Sequence, residues 1–110
     1  MKVKAIYTTL LLTLSVAFSS FSLADDIWID VRTLSESLRD SIPGDIRISH
    51  SNIVREVLER YPDKNTPLHF YDKTGGRSDI AISALEREGY QNLYNAGSIE
   101  EAREERGLIK

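Results

Sequence analysis

From Ile27 onward the chain alternates between short β-branched runs and segments with apolar residues at helical spacing. Only short polar connections separate them. Ile27-Trp28-Ile29-Asp30-Val31 reads as a buried strand. Thr33-Leu34-Ser35-Glu36 has the form of a capping box and opens a short helix to about Asp40, with Leu34 and Leu38 on one face. Pro43-Gly44 suits a type II turn, and a short strand is expected around Ile46 and Ile48. Ile53, Val54, Val57, Leu58 and Tyr61 recur at helical spacing up to Pro62. Pro67 to Tyr71 is the third strand. Asp79 to Glu88 is a helix with Ile80, Ala81, Ala84 and Leu85 inward, stopped by Gly89. Asn92 to Asn95 is the fourth strand, and the second capping box, Ser98-Ile99-Glu100-Glu101, opens a last helix. The order βαβαβαβα predicts an α/β fold: a parallel sheet with helices on both faces.

Residues 1–24 differ in kind. Lys2 and Lys4 precede an uncharged run from Ala5 to Ala24 with a leucine-rich centre, and Ser22-Leu23-Ala24 places small residues where a signal peptidase reads. The pattern is that of a signal peptide, with residues 25–110 as the exported domain and the periplasm as its expected location. An uncleaved membrane anchor is the alternative, although Ser19, Ser20 and Ser22 shorten the strongly apolar part. Membrane association would then run through that leader alone. Cleavage after Ala24 removes two lysines and no acid, taking the net charge from −3 to −5.

That acidic balance argues against a nucleic-acid binder, which needs clustered positive charge. Cysteine is absent from all 110 residues. This removes disulfides, thiolate metal sites, lipid attachment through cysteine and every cysteine nucleophile. An exported domain of this size must then be held by its core alone.

In open α/β sheets, ligands bind where strands end and helices begin. Here that place is Asp72-Lys73-Thr74-Gly75-Gly76-Arg77-Ser78, between the third strand and its helix. Two glycines let backbone N–H groups converge, and the helix adds its positive end, which together make an anion cradle. Taken alone, the same pattern also fits a glycine-rich connection without a ligand.

The chain resembles the single-domain rhodaneses, a sulfurtransferase family, and among them the small periplasmic phage-shock type. Trp28-Ile29-Asp30-Val31-Arg32 matches the family's strand motif ending in Asp-Val-Arg. Ile42-Pro43-Gly44 stands at the spacing of its His-Ile-Pro-Gly-Ala motif. Pro62-Asp63-Lys64 precedes the strand leading to the active loop. Gly89-Tyr90-Gln91-Asn92-Leu93 and Asn95-Ala96-Gly97 match its Gly-Tyr-x-x-Val and Asn-x-Gly-Gly stretches.

In active members the loop reads Cys-x-x-Gly-x-x-Ser, and its cysteine carries a persulfide that the loop amides stabilise. Here Asp72 stands at the cysteine position, while Gly75, Arg77 and Ser78 fit. Smaller departures are Ser41 and Asp45 for the usual His and Ala, and Ser98 for a second Gly. A carboxylate cannot hold a transferable sulfur. The resemblance therefore implies the fold without sulfur transfer, no catalytic residue at the loop and no cofactor. It implies a binding or regulatory module whose partner is a small anion or another periplasmic protein. The Asp72 carboxylate is expected to fold into the cradle in place of a persulfide, with Arg77 pairing nearby.

Asp72-Lys73-Thr74-Gly75 also matches the start of the phosphorylated-aspartate motif of P-type ATPases, which keeps open an aspartate-based, phosphatase-like chemistry. Gly76 and Arg77 break the expected continuation. His50 and His69 lie on different elements, so no metal site is expected. His69 reads as a satisfied strand histidine, Asp30 and Arg32 as structural residues that fix a loop by hydrogen bonds, and the charges from Glu100 to Arg106 as a solvated helix face.

Overall fold

The computed structural model describes residues 26–108. The leader and its cleavage site lie outside the described residues.

Four parallel strands form one sheet in the order β2-β1-β3-β4. They are β1 (Ile27–Asp30), β2 (Ile46–Arg47), β3 (Leu68–Asp72) and β4 (Leu93–Ser98). The helices are α1 (Leu34–Arg39), α2 (Ile53–Arg60), α3 (Gly76–Arg87) and α4 (Ile99–Glu105), with a 3₁₀ turn at His50–Asn52 before α2. Strand alternation splits the core in two. Ile29, Val31, Leu68 and Phe70 meet Ile53 and Val57 of α2 and Ala81 and Leu85 of α3 on one face. Trp28 and Tyr71 meet Ile42 and Ile99 and Ala102 of α4 on the other. Helices on both faces of a parallel sheet are thus the observed architecture.

Local chemistry sets the element ends. Thr33 and Ser98 both form complete capping boxes, with Glu36 and Glu101 reaching back. Gly44 sits at φ 92° and the Asp45 N–H donates to the Ile42 carbonyl at 3.2 Å, as a type II turn requires. Tyr90 is buried, and its hydroxyl donates to the Tyr61 carbonyl at 2.6 Å, which fixes the end of α2.

Four expectations need correction. Helix α3 starts at Gly76, three residues before Asp79, because loop contacts described below hold its first turn. Its buried stripe is Ser78, Ala81 and Leu85, which leaves Ile80 57% exposed rather than inward. Strand β4 runs on to Ser98 through an irregularity opposite Phe70 and Asp72. The charge run of the last helix is solvated only in part: Glu100, Glu101, Glu104 and Glu105 are exposed, but Arg103 is only 8% exposed and Arg106 is half-buried. Leu34 and Leu38 do share one side of α1, but that side faces solvent, at 55% and 76% exposure. Helix α1 buries no residue, because what ties it to the body is polar.

Candidate functional site

Asp72 ends β3 and is wholly buried. Its Oδ2 accepts the Arg77 N–H at 2.6 Å, and its Oδ1 accepts the Gly75 N–H. The carboxylate therefore sits on the first turn of α3, where free N–H groups and the helix dipole favour negative charge. It takes the place that a helix-capping side chain normally fills, since Gly75, the N-cap, has none.

The turn that allows this depends on Gly75. Its φ is 100°, and an added Cβ would lie 3.3 Å from the Gly97 Cα. Only glycine combines that backbone with that approach. Asn95 on β4 holds the turn from the other side. Its Nδ2 donates to the Gly75 carbonyl at 3.0 Å and to Asp79 Oδ1 at 2.8 Å, and its Oδ1 accepts the Gly97 N–H at 2.8 Å. The matching Asn95-Ala96-Gly97 stretch thus earns its place by bracing the loop.

Of the seven loop residues, Asp72, Gly75 and Arg77 are brought together by hydrogen bonds. Lys73 and Thr74 face outward, and Thr74 Oγ1 accepts the Gly76 N–H at 3.4 Å. Ser78 is buried, and its Oγ has no hydrogen-bond partner among the described residues. The Arg77 side chain does not chiefly serve Asp72, whose Oδ2 is 3.7 Å from its Nε. It makes a two-pronged pair with Glu36 of α1 at 2.8 and 3.0 Å. Together with the Thr33 N–H, that guanidinium holds the Glu36 carboxyl far below its usual range.

Around this centre lie further polar pairs. Asp30 accepts from the Arg32 backbone N–H, Nε and Nη2 at 2.9, 3.0 and 2.9 Å, and Arg32 Nη2 also donates to the Asp40 carbonyl. Arg103 forks onto Asp40 at 3.1 and 2.7 Å. Arg106 forks onto Asp45 at 2.7 and 3.0 Å and lies 4.3 Å over the Trp28 ring. Asp45 also accepts from the Tyr71 hydroxyl at 2.7 Å, and burial followed by that bond pushes the Tyr71 phenol far up. The structural reading of Asp30 and Arg32 matches this geometry. His69 stacks between Trp28 and Tyr94, with centroids 4.4 and 4.9 Å away. Among the described residues, no three His, Asp or Glu side chains are grouped to hold a metal ion, and no helix is long and apolar enough to cross a membrane.

The family model for the rhodanese-like domain matches residues 20–105. The chain belongs to the rhodanese-like family. Thiosulfate sulfurtransferase PspE of Escherichia coli (strain K12) is 31% identical over 91 residues, covering 83% of this chain and 88% of that protein. A solved E. coli rhodanese with anions superposes with a TM-score of 0.63 at 28% identity, covering 70% of this chain and 91% of that one. The rhodanese_3-like domain of the Anabaena Alr3790 protein superposes at 0.67 with 17% identity over 77% of this chain and 97% of its own, a likeness of fold alone. A rhodanese-like chain without any cysteine is consistent with aspartate at the family's catalytic position.

Proposed function

We propose that this rhodanese-like domain transfers no sulfur and serves as a binding or regulatory module, its anion cradle filled from within by Asp72. The observation that carries this reading is the buried Asp72 carboxylate accepting the Gly75 and Arg77 amides. A sulfurtransferase needs a thiolate to attack and then carry sulfur, and the chain has no cysteine. The loop belongs to a fold whose relative is named a thiosulfate sulfurtransferase and whose solved neighbour is described with anions. An internal carboxylate at such a place supplies the negative charge that an external anion would bring. Chemistry at Asp72 itself is the weaker reading, because an aspartyl nucleophile needs an oxygen open to substrate and both oxygens here are engaged.

Export is part of the proposal. The charged start, the apolar centre and Ser22-Leu23-Ala24 support cleavage before Asp25 and release into the periplasm. Intact-mass analysis of periplasmic protein should find a chain beginning at Asp25; full-length chain in membranes would favour the anchor.

The activity test is a thiosulfate-to-cyanide assay on the wild type beside Asp72→Cys. The wild type should give only background at any pH. The cysteine variant should gain the mass of one sulfur after thiosulfate treatment. Wild-type turnover that follows the protein through purification would end the proposal.

A further inference from the structure

Residues 33–41, which carry α1, are fastened to the protein by charge. Arg32 and Ile42 on either side are buried, but none of the residues between them is. The apolar side chains of α1, Leu34 and Leu38, already face solvent, so lifting the segment takes little apolar surface into water. What opposes lifting is two forked ion pairs. Glu36 holds Arg77 of α3, and Asp40 holds Arg103 of α4. Bonds from Arg32 to the Asp40 carbonyl and from Arg103 to the Ser41 carbonyl add to them. In both pairs the carboxylate belongs to the segment and the guanidinium to the body of the fold.

Solutes reach the second pair without any opening. Asp40 and Arg103 line an open cleft of about 520 Å³, together with Ser41 and Arg106. Asp40 is the one acid among the described residues lining it, so it is the charge that an entering anion must displace. Arg106 is kept in place by Asp45 and the Trp28 ring.

We propose that residues 33–41 form an ionically latched strap, and that a multivalent oxyanion of the phosphate class opens it by taking Arg103 from Asp40. A guanidinium fork matches two oxygens of a tetrahedral oxyanion as it matches a carboxylate. The Arg103 side chain is 10% exposed and that of Asp40 27%, so the arginine is the fixed half of the latch and the carboxylate is the half that leaves. Without an anion, the lifted strap strands a nearly buried guanidinium. With one, Arg103 stays matched. The anion therefore binds the lifted state better than the closed state, which is the condition for shifting the balance between them. Arg77 needs no replacement, because its Nε lies 3.7 Å from Asp72 Oδ2 and that carboxylate stays. Helix α1 and Lys73 line the cleft beside the loop, so lifting the strap widens access to the loop. The strap stands independently of what the loop does, since its latch is on α4.

The probe is inorganic pyrophosphate, with sodium chloride at matched ionic strength as the control. Native-state amide exchange of the wild-type protein reads the opening. The Ser37 and Asp40 amides, bonded to the Thr33 and Glu36 carbonyls, report the two ends of α1. Pyrophosphate should speed both together by about tenfold, with little dependence on urea because little surface is exposed. Chloride should act several-fold less, and pyrophosphate shifts should centre on Arg103 Nε. Arg103→Gln removes the fixed half of the latch. Both amides should then exchange about tenfold faster without any anion, and pyrophosphate should add nothing. Arg103 touches only the Asp40 end of the strap, so acceleration at Ser37 distinguishes lifting as a unit from fraying. Asp40→Asn should bind pyrophosphate several-fold more tightly, because the competing charge is gone. Arg39→Gln, on α1 but outside the latch, should respond as the wild type does. If Arg103→Gln fails to fold, the two salts on the wild type decide alone. Equal acceleration by both salts overturns the proposal, since screening then opens the strap without a site. Slower exchange in pyrophosphate, acceleration at Asp40 alone, a urea dependence as steep as that of the β3 amides, or a response lost in Arg39→Gln each overturns it too. Sulfur transfer by the wild type would refute the inactive reading and leave these results standing.

Discussion

The Glu36 carboxylate and the Arg77 guanidinium meet as a two-pronged pair at 2.8 and 3.0 Å across 41 positions of sequence. The same carboxylate accepts the Thr33 N–H at 2.9 Å. One side chain thus caps α1 and fixes the side chain of the loop's arginine. Because α1 buries nothing, this pair and the Asp40 contacts with Arg32 and Arg103 hold it to the sheet.

A pH signature follows. The folded Glu36 carboxyl is depressed below its ordinary value of 4.5, chiefly by Arg77 and then by Thr33. Its contribution is therefore complete above that ordinary value. It shrinks as pH falls below it and is gone once pH passes the depressed folded value. Glu36→Gln should cost about 1 kcal/mol at pH 7, as expected for a partly exposed two-pronged pair. Urea unfolding of both proteins should show the gap narrowing steadily below pH 4.5. A gap that stays constant down to pH 2 would mean that the ion pair contributes nothing.

Where a feature was legible in the sequence, its cause was local. The β-branched and aromatic run Ile27-Trp28-Ile29-Asp30-Val31 marked a buried strand. Thr33-x-x-Glu36 and Ser98-x-x-Glu101 each contain all the atoms of their caps. Asp72 in the cradle was expected from the glycines and the helix end that follows. The ionic pairs were not legible, because Arg77 with Glu36, Arg103 with Asp40 and Arg106 with Asp45 join distant segments. A mixed charge run such as Glu100 to Arg106 does not reveal which cations the fold will match. The start of α3 was missed because two glycines read as loop, and the side chain that stabilises the first turn precedes it in the strand.

The filled cradle makes a binding prediction. Asp72 holds two donors that an external anion would otherwise use, and it repels such an anion by like charge. Wild-type protein should bind sulfate or thiosulfate weakly. Asp72→Ala should bind them several-fold better at low salt, because the Gly75 and Arg77 amides remain while the competing charge is gone. The same variant should lose about 1–3 kcal/mol of stability as those amides lose their partner. Titration calorimetry decides it: no gain in anion affinity would show that the amides are not available as an anion site.

Ser78 matches the family's loop pattern, yet its Oγ is buried without a hydrogen-bond partner among the described residues. A buried hydroxyl without a partner opposes folding. Alanine in its place removes that hydroxyl and raises helix propensity within α3. Ser78→Ala should therefore be neutral or stabilising by up to about 1 kcal/mol. A thermal midpoint lowered by several degrees would show that the hydroxyl is engaged.

Asp45 stands where the family usually has alanine, and the fold shows what the exchange brings with it. The carboxylate accepts the buried Tyr71 hydroxyl and both prongs of Arg106, which in turn covers Trp28. Asp45→Ala moves the chain toward the common family residue, but it strands a buried phenol and a half-buried guanidinium together. The cost should be about 2–4 kcal/mol, the range for breaking a buried charge-assisted network by removing one partner. Adding Tyr71→Phe and Arg106→Leu to Asp45→Ala should recover much of it, since no polar group is then left unmatched. Denaturant midpoints for the single and triple variants measure both effects. A single variant as stable as the wild type would mean that water satisfies the phenol and the guanidinium equally well. A triple variant no better than the single would place the loss in packing around Trp28 rather than in the unmatched polar groups.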